Sequence, residues 1–310
     1  MKICFIGLGS IGTRHLRNIS RILDQRKIAY IIDAFRTGST ELSDDLTALL
    51  HEEYRAIDQL PKDYDIIFIT NPTSLHFETI QSVMDKTRHL FIEKPIFESC
   101  NYQIDNLSRK EEGIYYVACP LRYSPVIKYI KDFICNEKVL SVRAISSSYL
   151  PEWRKGVDYR NVYSAKKALG GGVSLDLIHE WDYLTYLFGM PEKIYNLNGH
   201  FSELEIDCDD ISVYIAKYKD KLAEVHLDYI GRKTTRKLEL YCKDTVISAD
   251  LIANRIEFSG ACEKGVVLEK EDIYLNEMNH FLDIISGKAG NSNDIKHAYQ
   301  VLELAIANKY

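Results

Sequence analysis

The sequence is informative first through what it lacks. No stretch approaches the roughly 18 consecutive apolar residues that a bilayer-spanning helix needs, so no membrane span is expected. The opening MKICFIGLGS is apolar for only a few residues before glycine interrupts it, too short a run for a signal peptide. No CxxC pair occurs. The seven cysteines, Cys4, Cys100, Cys119, Cys135, Cys208, Cys242 and Cys262, are odd in number and scattered. That pattern predicts reduced thiols in a cytoplasmic protein and excludes a disulfide framework or a zinc ribbon. Lysines and arginines form no cluster, and 39 of them against 45 acids leave a formal net charge of -6. A nucleic-acid partner is therefore not expected, because phosphate binding needs a basic patch. Repeats and low-complexity tracts are absent too. What is present, 46% hydrophobic and 27% charged residues over 310 positions, is enough for two ordinary domains of roughly 150 residues each.

The chain begins with a short apolar run, KICFI (2–6), stopped by GLGSIG with glycines at 7, 9 and 12. The following TRHLRNISRILDQ places Leu16, Ile19 and Leu23 at helical spacing. Strand, glycine turn and helix in this order predict a dinucleotide site. Gly7 allows the tight turn, Gly9 lets backbone approach a pyrophosphate, Gly12 allows close helix–strand packing, and the helix N-terminus offers N–H donors to the anion. Rossmann logic asks for an acid about 20 residues on, to hold the ribose hydroxyls of NAD. Asp33, 21 residues after Gly12, is one candidate. The strand KIAYIIDAFR runs on to Arg36, however, and an arginine at its end would receive the extra phosphate of NADP. The sequence leaves NAD and NADP open.

A further parallel strand, YDIIFIT (64–70), ends in Asn71 and Pro72, a loop at the carboxyl edge of the sheet where ligands sit in such folds. HLFIEKP (89–95) then ends a strand on Glu93, Lys94 and Pro95. A lysine at that edge, followed by a rigid proline, is a candidate for more than solvation.

Taken in order, GLGSIG (7–12), TNPTSLH (70–76), EKP (93–95), RYSP (122–125) and GGGVSLD with HEWD (170–182) resemble the glucose–fructose oxidoreductase/inositol dehydrogenase family, usually called Gfo/Idh/MocA. The resemblance spans most of the chain. It implies an α/β Rossmann domain over 1–120 that binds NAD or NADP. It further implies an α+β domain over 121–310 with a large, mostly antiparallel open sheet. That sheet would make a homodimer or homotetramer, and the C-terminal helix would return to the first domain. The implied activity is hydride transfer to or from a hydroxyl or keto carbon of a sugar, sugar acid or nucleotide-sugar. The implied cofactor contacts are Gly7, Gly9, Ser10, Ile11 and Gly12, then Asp33 and Arg36, then Thr70, Asn71, Pro72 and His76, and finally Glu93, Lys94 and Arg122. Lys94 would stabilise the developing alkoxide as a fixed cation. Arg122 lies at the domain crossover, where a positioning role and a structural salt bridge stand as equal alternatives. Two other readings remain: an NAD-dependent glycosidase or lyase working by transient oxidation, and a dinucleotide- or sugar-sensing protein without turnover.

The stretch GGGVSLDLIHEWDYLTYLFG (170–189) carries the second set of candidates. On one helix over 176–188, at about 100° per residue, Asp176, His179, Glu180 and Tyr183 share a face and Leu177, Ile178, Trp181, Leu184 and Phe188 another. A histidine beside a carboxylate makes a general base near neutral pH. His179 is the expected base, with Asp176 or Glu180 in support. The family resemblance implies an Asp–His gap of four, whereas here it is three, which puts Asp176 in question. No second ligand cluster accompanies these groups, so no metal is expected.

The preceding loop holds Trp153, Arg154 and Tyr163, aromatics beside cations, which suits a sugar with an anionic group. Lys94, Trp153, Arg154, Tyr163, Asp176 and His179 make up the expected substrate contacts. Beyond 210, DISVYIAKY, LAEVHLDYI, RKLELYC and TVISADLIANRIEFS alternate like strands of an antiparallel sheet. IYLNEMNHFLDIISG and IKHAYQVLELAIANKY are expected to be helical, with His280 and His297 structural.

Overall fold

The structure, a computed structural model, describes residues 1–38, 41–261 and 263–306. Cys262 and the last four residues of the expected terminal helix thus lie outside the described residues, as do two residues of the turn after Arg36. The chain divides into two compact units, one of Met1–Ala118 with Asp272–Tyr299, the other of Cys119–Glu271 with Gln300–Tyr310. The segment 272–299 therefore belongs with the first unit, although a simple cut near 120 puts it in the second.

In the first unit the chain runs β1 (Lys2–Ile6), α1 (Ser10–Gln25), β2 (Ile31–Phe35), α2 (Asp44–Thr47), β3 (Glu52–Tyr54), β4 (Tyr64–Ile69), α3 (His76–Val83), β5 (Thr87–Ile92) and β6 (Tyr115–Val117). The six strands form one parallel sheet in the order β3-β2-β1-β4-β5-β6. Its central strands read as continuous apolar runs because both faces are covered: Ile3, Phe5, Ile66, Phe68, Leu90 and Phe91 are all fully buried. Phe281, from the returning segment, enters this core at 5.2 Å from the Phe91 ring and 5.5 Å from that of Tyr116. That apolar contact is why the segment joins the first unit.

The second unit comprises α4 (Pro125–Phe133), β7 (Val139–Tyr149), α5 (Val173–Asp176), α6 (His179–Phe188), β8 (Lys193–Gly199), β9 (Ile211–Lys217), β10 (Leu222–Asp228), β11 (Ile230–Cys242), β12 (Thr245–Asp250), β13 (Arg255–Gly260) and β14 (Lys264–Val267). Two helices close the described chain, α7 (Ile273–Ile285) and α8 (Ile295–Ala305). The eight strands form a single sheet ordered β14-β13-β12-β11-β7-β10-β9-β8. Every neighbouring pair is antiparallel except β10 with β7. TVISADLIANRIEFS, one apolar run in the sequence, is two strands, β12 and β13, with Asn254 at positive φ in the turn between them. No described helix is long and apolar enough to cross a membrane.

The segment after the glycines departs from the expected single helix. It breaks after Asp176: Leu177 leaves helical geometry at ψ 26°, and a second helix begins at His179. The break changes which way Asp176 faces, and the expected polar stripe does not form. Instead α6 is buried nearly all round, with Glu180, Trp181, Tyr183 and Leu184 at 0% exposure.

Candidate active site

The glycine turn of the first unit sits where the strand order reverses, between β1 and β4, the place where open parallel sheets leave a crevice. Gly7 has φ +92°, a conformation open to glycine and strained for other residues. A Cβ on Gly12 would run into the Gly7 carbonyl and lie 2.8 Å from Thr70 Oγ1. By contrast, a Cβ on Gly9 meets nothing within 4 Å. Gly12 is thus a packing requirement, whereas Gly9, Ser10 and Ile11 line an open or half-open surface at the start of α1. The N-cap residue Gly9 makes no side-chain cap, so the first N–H groups of α1 are presented without a competing protein acceptor. That cradle fits a pyrophosphate.

Neighbouring strand ends are fastened to this turn. Thr70 Oγ1 donates to Gly7 O at 2.6 Å. Asn71 Nδ2 donates to Thr79 Oγ1 at 2.8 Å, and Pro72 leads into the short turn before α3. His76 is buried, its ring nitrogens 3.1 Å from Ile96 O and 3.0 Å from Asn71 O. It clips the Asn71 loop to the segment after Pro95, and burial lowers its basicity. His76 is therefore a brace beneath the site.

Asp33 does not sit at the strand tip. It lies mid-strand at 1% exposure, its carboxylate accepting from Tyr64 Oη at 2.7 Å and lying 3.2 Å from His51 Nδ1. At about 3.3 Å per residue it is roughly 10 Å below Arg36. Of the two sequence candidates, Arg36 occupies the tip and Asp33 is an internal hydrogen-bonding group.

Lys94 lies two residues past the end of β5 and is half-buried. The acid before it faces inward: Glu93 Oε1 lies 2.5 Å from His15 Nε2 of α1, and Glu93 Oε2 accepts from Lys94 N at 3.1 Å. Burial works against the Glu93 carboxylate, but the His15 hydrogen bond and the nearby Lys94 charge outweigh it, so the group sits below the ordinary glutamate range. Glu93 thus anchors the Lys94 backbone to the helix that opens the glycine site. It was expected among the cofactor contacts, but its two oxygens face His15 and the Lys94 amide.

In the second unit, the titratable groups of the glycine-led segment are paired with residues distant in sequence. Asp176, 4% exposed, accepts from the Tyr163 hydroxyl and from Tyr229 Oη at 2.6 Å. Burial and the Asp176 charge push both phenols well above the usual tyrosine range, so they remain protonated donors. Glu180 is fully buried and 2.8 Å from Arg236 Nε of β11. Asp182 takes a bidentate bond from Arg122, at 2.7 and 3.0 Å. Arg122 is 4% exposed, so of its two sequence alternatives the structural salt bridge is the one the geometry builds. Glu180, the other carboxylate expected beside His179, is held by Arg236. His179, at the start of α6, is the one member of the set that is half-buried rather than buried. Gly172, at φ +120°, leaves room for Asp209, which holds the entry to α5 by accepting from Ser174 N at 3.0 Å.

Of the loop candidates, Trp153 is 38% exposed, donates from Nε1 to Ser148 Oγ at 2.9 Å and meets the Tyr229 ring edge-on at 5.2 Å. Arg154 is exposed. Tyr229, Arg236, His15 and Asp209 were not legible as site-forming residues, since each acts through a partner at least 35 positions away. Among the described residues, no group of three or more His, Cys, Asp or Glu side chains is placed to hold a metal ion.

Comparison with known proteins bears on the first unit and on the fold. Residues 1–117 match the Gfo/Idh/MocA model, described as an oxidoreductase family with an NAD-binding Rossmann fold. The chain is similar to the uncharacterized oxidoreductase YrbE of Bacillus subtilis, 29% identical over 59% of this chain and 52% of that one. It is also similar to UDP-N-acetylglucosamine 3-dehydrogenase of Acidithiobacillus ferrooxidans, 21% identical over 92% of this chain and 89% of that one. The solved structure of the latter superposes with TM-score 0.79 at 18% identity, over 99% of this chain and 96% of that one. Levoglucosan dehydrogenase, in complex with NADH and levoglucosan, superposes with TM-score 0.81 at 15% identity, over 98% and 95% of the two chains. At such identities the superpositions establish the fold. The matched region spans about half the length of YrbE and of the Thermotoga maritima myo-inositol 2-dehydrogenase. The strand order and the glycine turn agree with that match: residues 1–117 form a Rossmann domain similar to the NAD-binding domain of the Gfo/Idh/MocA oxidoreductases.

Proposed function

We propose that this protein is a nicotinamide-dependent oxidoreductase that moves a hydride to or from a hydroxyl or keto carbon of a sugar derivative. The observation that carries the reading is the shared carboxyl edge of the parallel sheet. Gly7 after β1, Asn71 beyond β4 and Lys94 after β5 all lie there. With strands about 4.8 Å apart, Lys94 stands roughly 10 Å from the glycine turn, two strands along. A dinucleotide whose pyrophosphate rests on the turn supplies the hydride carrier when bound. The chain supplies the rest. Lys94, its backbone anchored through Glu93 to His15, donates to the reacting oxygen and stabilises its negative charge. His179 takes the hydroxyl proton, or returns it in the reverse direction. Asp176, gripped by Tyr163 and Tyr229, fixes the loop that carries Trp153 and Arg154, and these residues contact the sugar.

The substrate class is a sugar, sugar acid or nucleotide-sugar. The names of the relatives support this, as does the exposed Trp153 beside Arg154. The active form is a homodimer or homotetramer built on the second sheet. Tyr195, Leu197, Val213 and Ile215 project from one face of β8 and β9 at 37–65% exposure, more apolar surface than a strand face turned to water needs. The test is hydride transfer by the purified chain, with NAD and NADP, across neutral sugars, cyclitols, sugar acids and nucleotide-sugars. Reduction of the cofactor by at least one class, lost in Lys94→Ala, is expected. Tight dinucleotide binding with no exchange of labelled hydride for any class would overturn the reading.

A further inference from the structure

We propose that the carboxyl tip of β2 is a 2′-phosphate site, so that this protein prefers NADP(H) to NAD(H). The proposal rests on the dinucleotide reading above and adds the choice between its two forms. A chain that selects NAD presents a carboxylate at this tip to hold the ribose hydroxyls. Here the only acid of β2, Asp33, is internal and held by Tyr64. Arg36 follows the last residue of the strand instead, with Gly7 N bonded to the neighbouring Phe35 carbonyl at 3.0 Å. The tip therefore adjoins the glycine turn.

A second arginine converges on the same place. Arg36 Nη1 donates to Glu53 Oε2 at 2.9 Å, and Arg55 pairs with the other oxygen, Glu53 Oε1. Two guanidinium groups on the two oxygens of one carboxylate lie close enough for a phosphate to bridge them. Arg55 Nη1 also donates to Gly38 O at 2.5 Å and Arg36 O at 3.3 Å, so it tethers the backbone beyond β2. The three side chains carry a local charge of +1, and they line a cavity of about 520 Å³. Glu41, Asp44 and Glu52 also reach that cavity, but all three are exposed, where water and salt screen them. Arg36 and Glu53, 10% and 28% exposed in their side chains, cancel in charge, so the net positive charge is that of the exposed Arg55, and the fit to phosphate rests on the two guanidinium forks. Guanidinium forks match phosphate oxygens in geometry as well as charge.

The experiment is calorimetric titration of the purified apo chain with NADP⁺ and NAD⁺, and with adenosine 2′,5′-bisphosphate and ADP as fragments. NADP⁺ should bind at least about tenfold tighter than NAD⁺, a difference that narrows as salt rises. Arg55→Ala, at an exposed position, should remove about tenfold from NADP⁺ affinity and change NAD⁺ affinity less than about threefold. Arg36→Lys tests the fork without deleting the charge and should weaken NADP⁺ selectively. Equal or tighter binding of NAD⁺ by the wild-type chain overturns the proposal. Failure of a folded chain to bind either dinucleotide, or either fragment, overturns the dinucleotide reading itself, a separate outcome.

Discussion

The glycine turn of the first unit and the glycine-led segment of the second begin alike, with closely spaced glycines leading into helix, yet they are built on opposite principles. At the turn, backbone does the work: an open Gly9, a bare helix N-terminus, and carbonyls and a threonine packed against Gly7 and Gly12. At the second segment, side chains do it: Asp176 with two tyrosines, Glu180 with Arg236, Asp182 with Arg122. Backbone geometry depends on local sequence and survives as a motif. Buried charge pairs depend on partners the chain brings from elsewhere, and each partner must be kept because an unpaired buried charge is costly.

The widest break in this contrast would be catalytic. Lys94→Ala and His179→Ala are each expected to cut turnover by roughly 10²–10⁴, the usual range for acid–base groups, with dinucleotide binding retained. Normal turnover in the double variant would leave the second segment a purely structural element.

Next comes stability. Removing the guanidinium of Arg122 leaves Asp182 charged and nearly enclosed, and Arg122→Ala should cost about 3–5 kcal/mol in urea unfolding. A loss under about 1 kcal/mol would show that the pair is solvated after all.

Gly12→Ala sharpens the other side of the comparison. Its Cβ has no room against Gly7 and Thr70, so about 1–3 kcal/mol of strain is expected, read as lowered stability together with weakened dinucleotide binding.

Acid should act on the first unit through His89, buried within β5 with its Nδ1 accepting from Ile114 N at 3.0 Å. Burial, with the Arg88 charge, depresses its pKa from 6.5 to about 4. The folded ring stays neutral where the unfolded chain takes up a proton. Stability is therefore unaffected above about pH 6.5 and falls as pH drops from 6.5 toward 4, by of the order of 1–3 kcal/mol. Urea midpoints of wild type and His89→Gln at pH 7 and about pH 4.5 check this, since the variant should lack that part of the slope. The smallest effect belongs to the exposed pair Lys62–Asp85. Lys62→Ala should change stability by less than about 1 kcal/mol, with any effect reduced by salt.

The first unit was read well from sequence because its signals are periodic or positional. Apolar runs in KICFI and YDIIFI mark doubly covered strands, and glycines 7, 9 and 12 mark the turn. Asp33 stands as a ribose candidate in the sequence for a physical reason. An acid inside an apolar strand resembles an acid at its end until Tyr64, 31 residues on, is seen to satisfy it. The segment 170–189 misled in the other direction. Polar groups at helical spacing imply a wet face, but Tyr229 and Arg236, the partners of Asp176 and Glu180, come from the bend between β10 and β11 and from β11 itself, which no periodicity connects to this segment.

By itself the sequence determined the order of elements, the parallel and mostly antiparallel sheets, the glycine turn and the lysine at the strand end, because hydrophobic period and turn chemistry act over a few residues. Only the tertiary structure decided which charges are reachable and which are internal. That question turns on desolvation, and desolvation is set by whatever the fold places around a group.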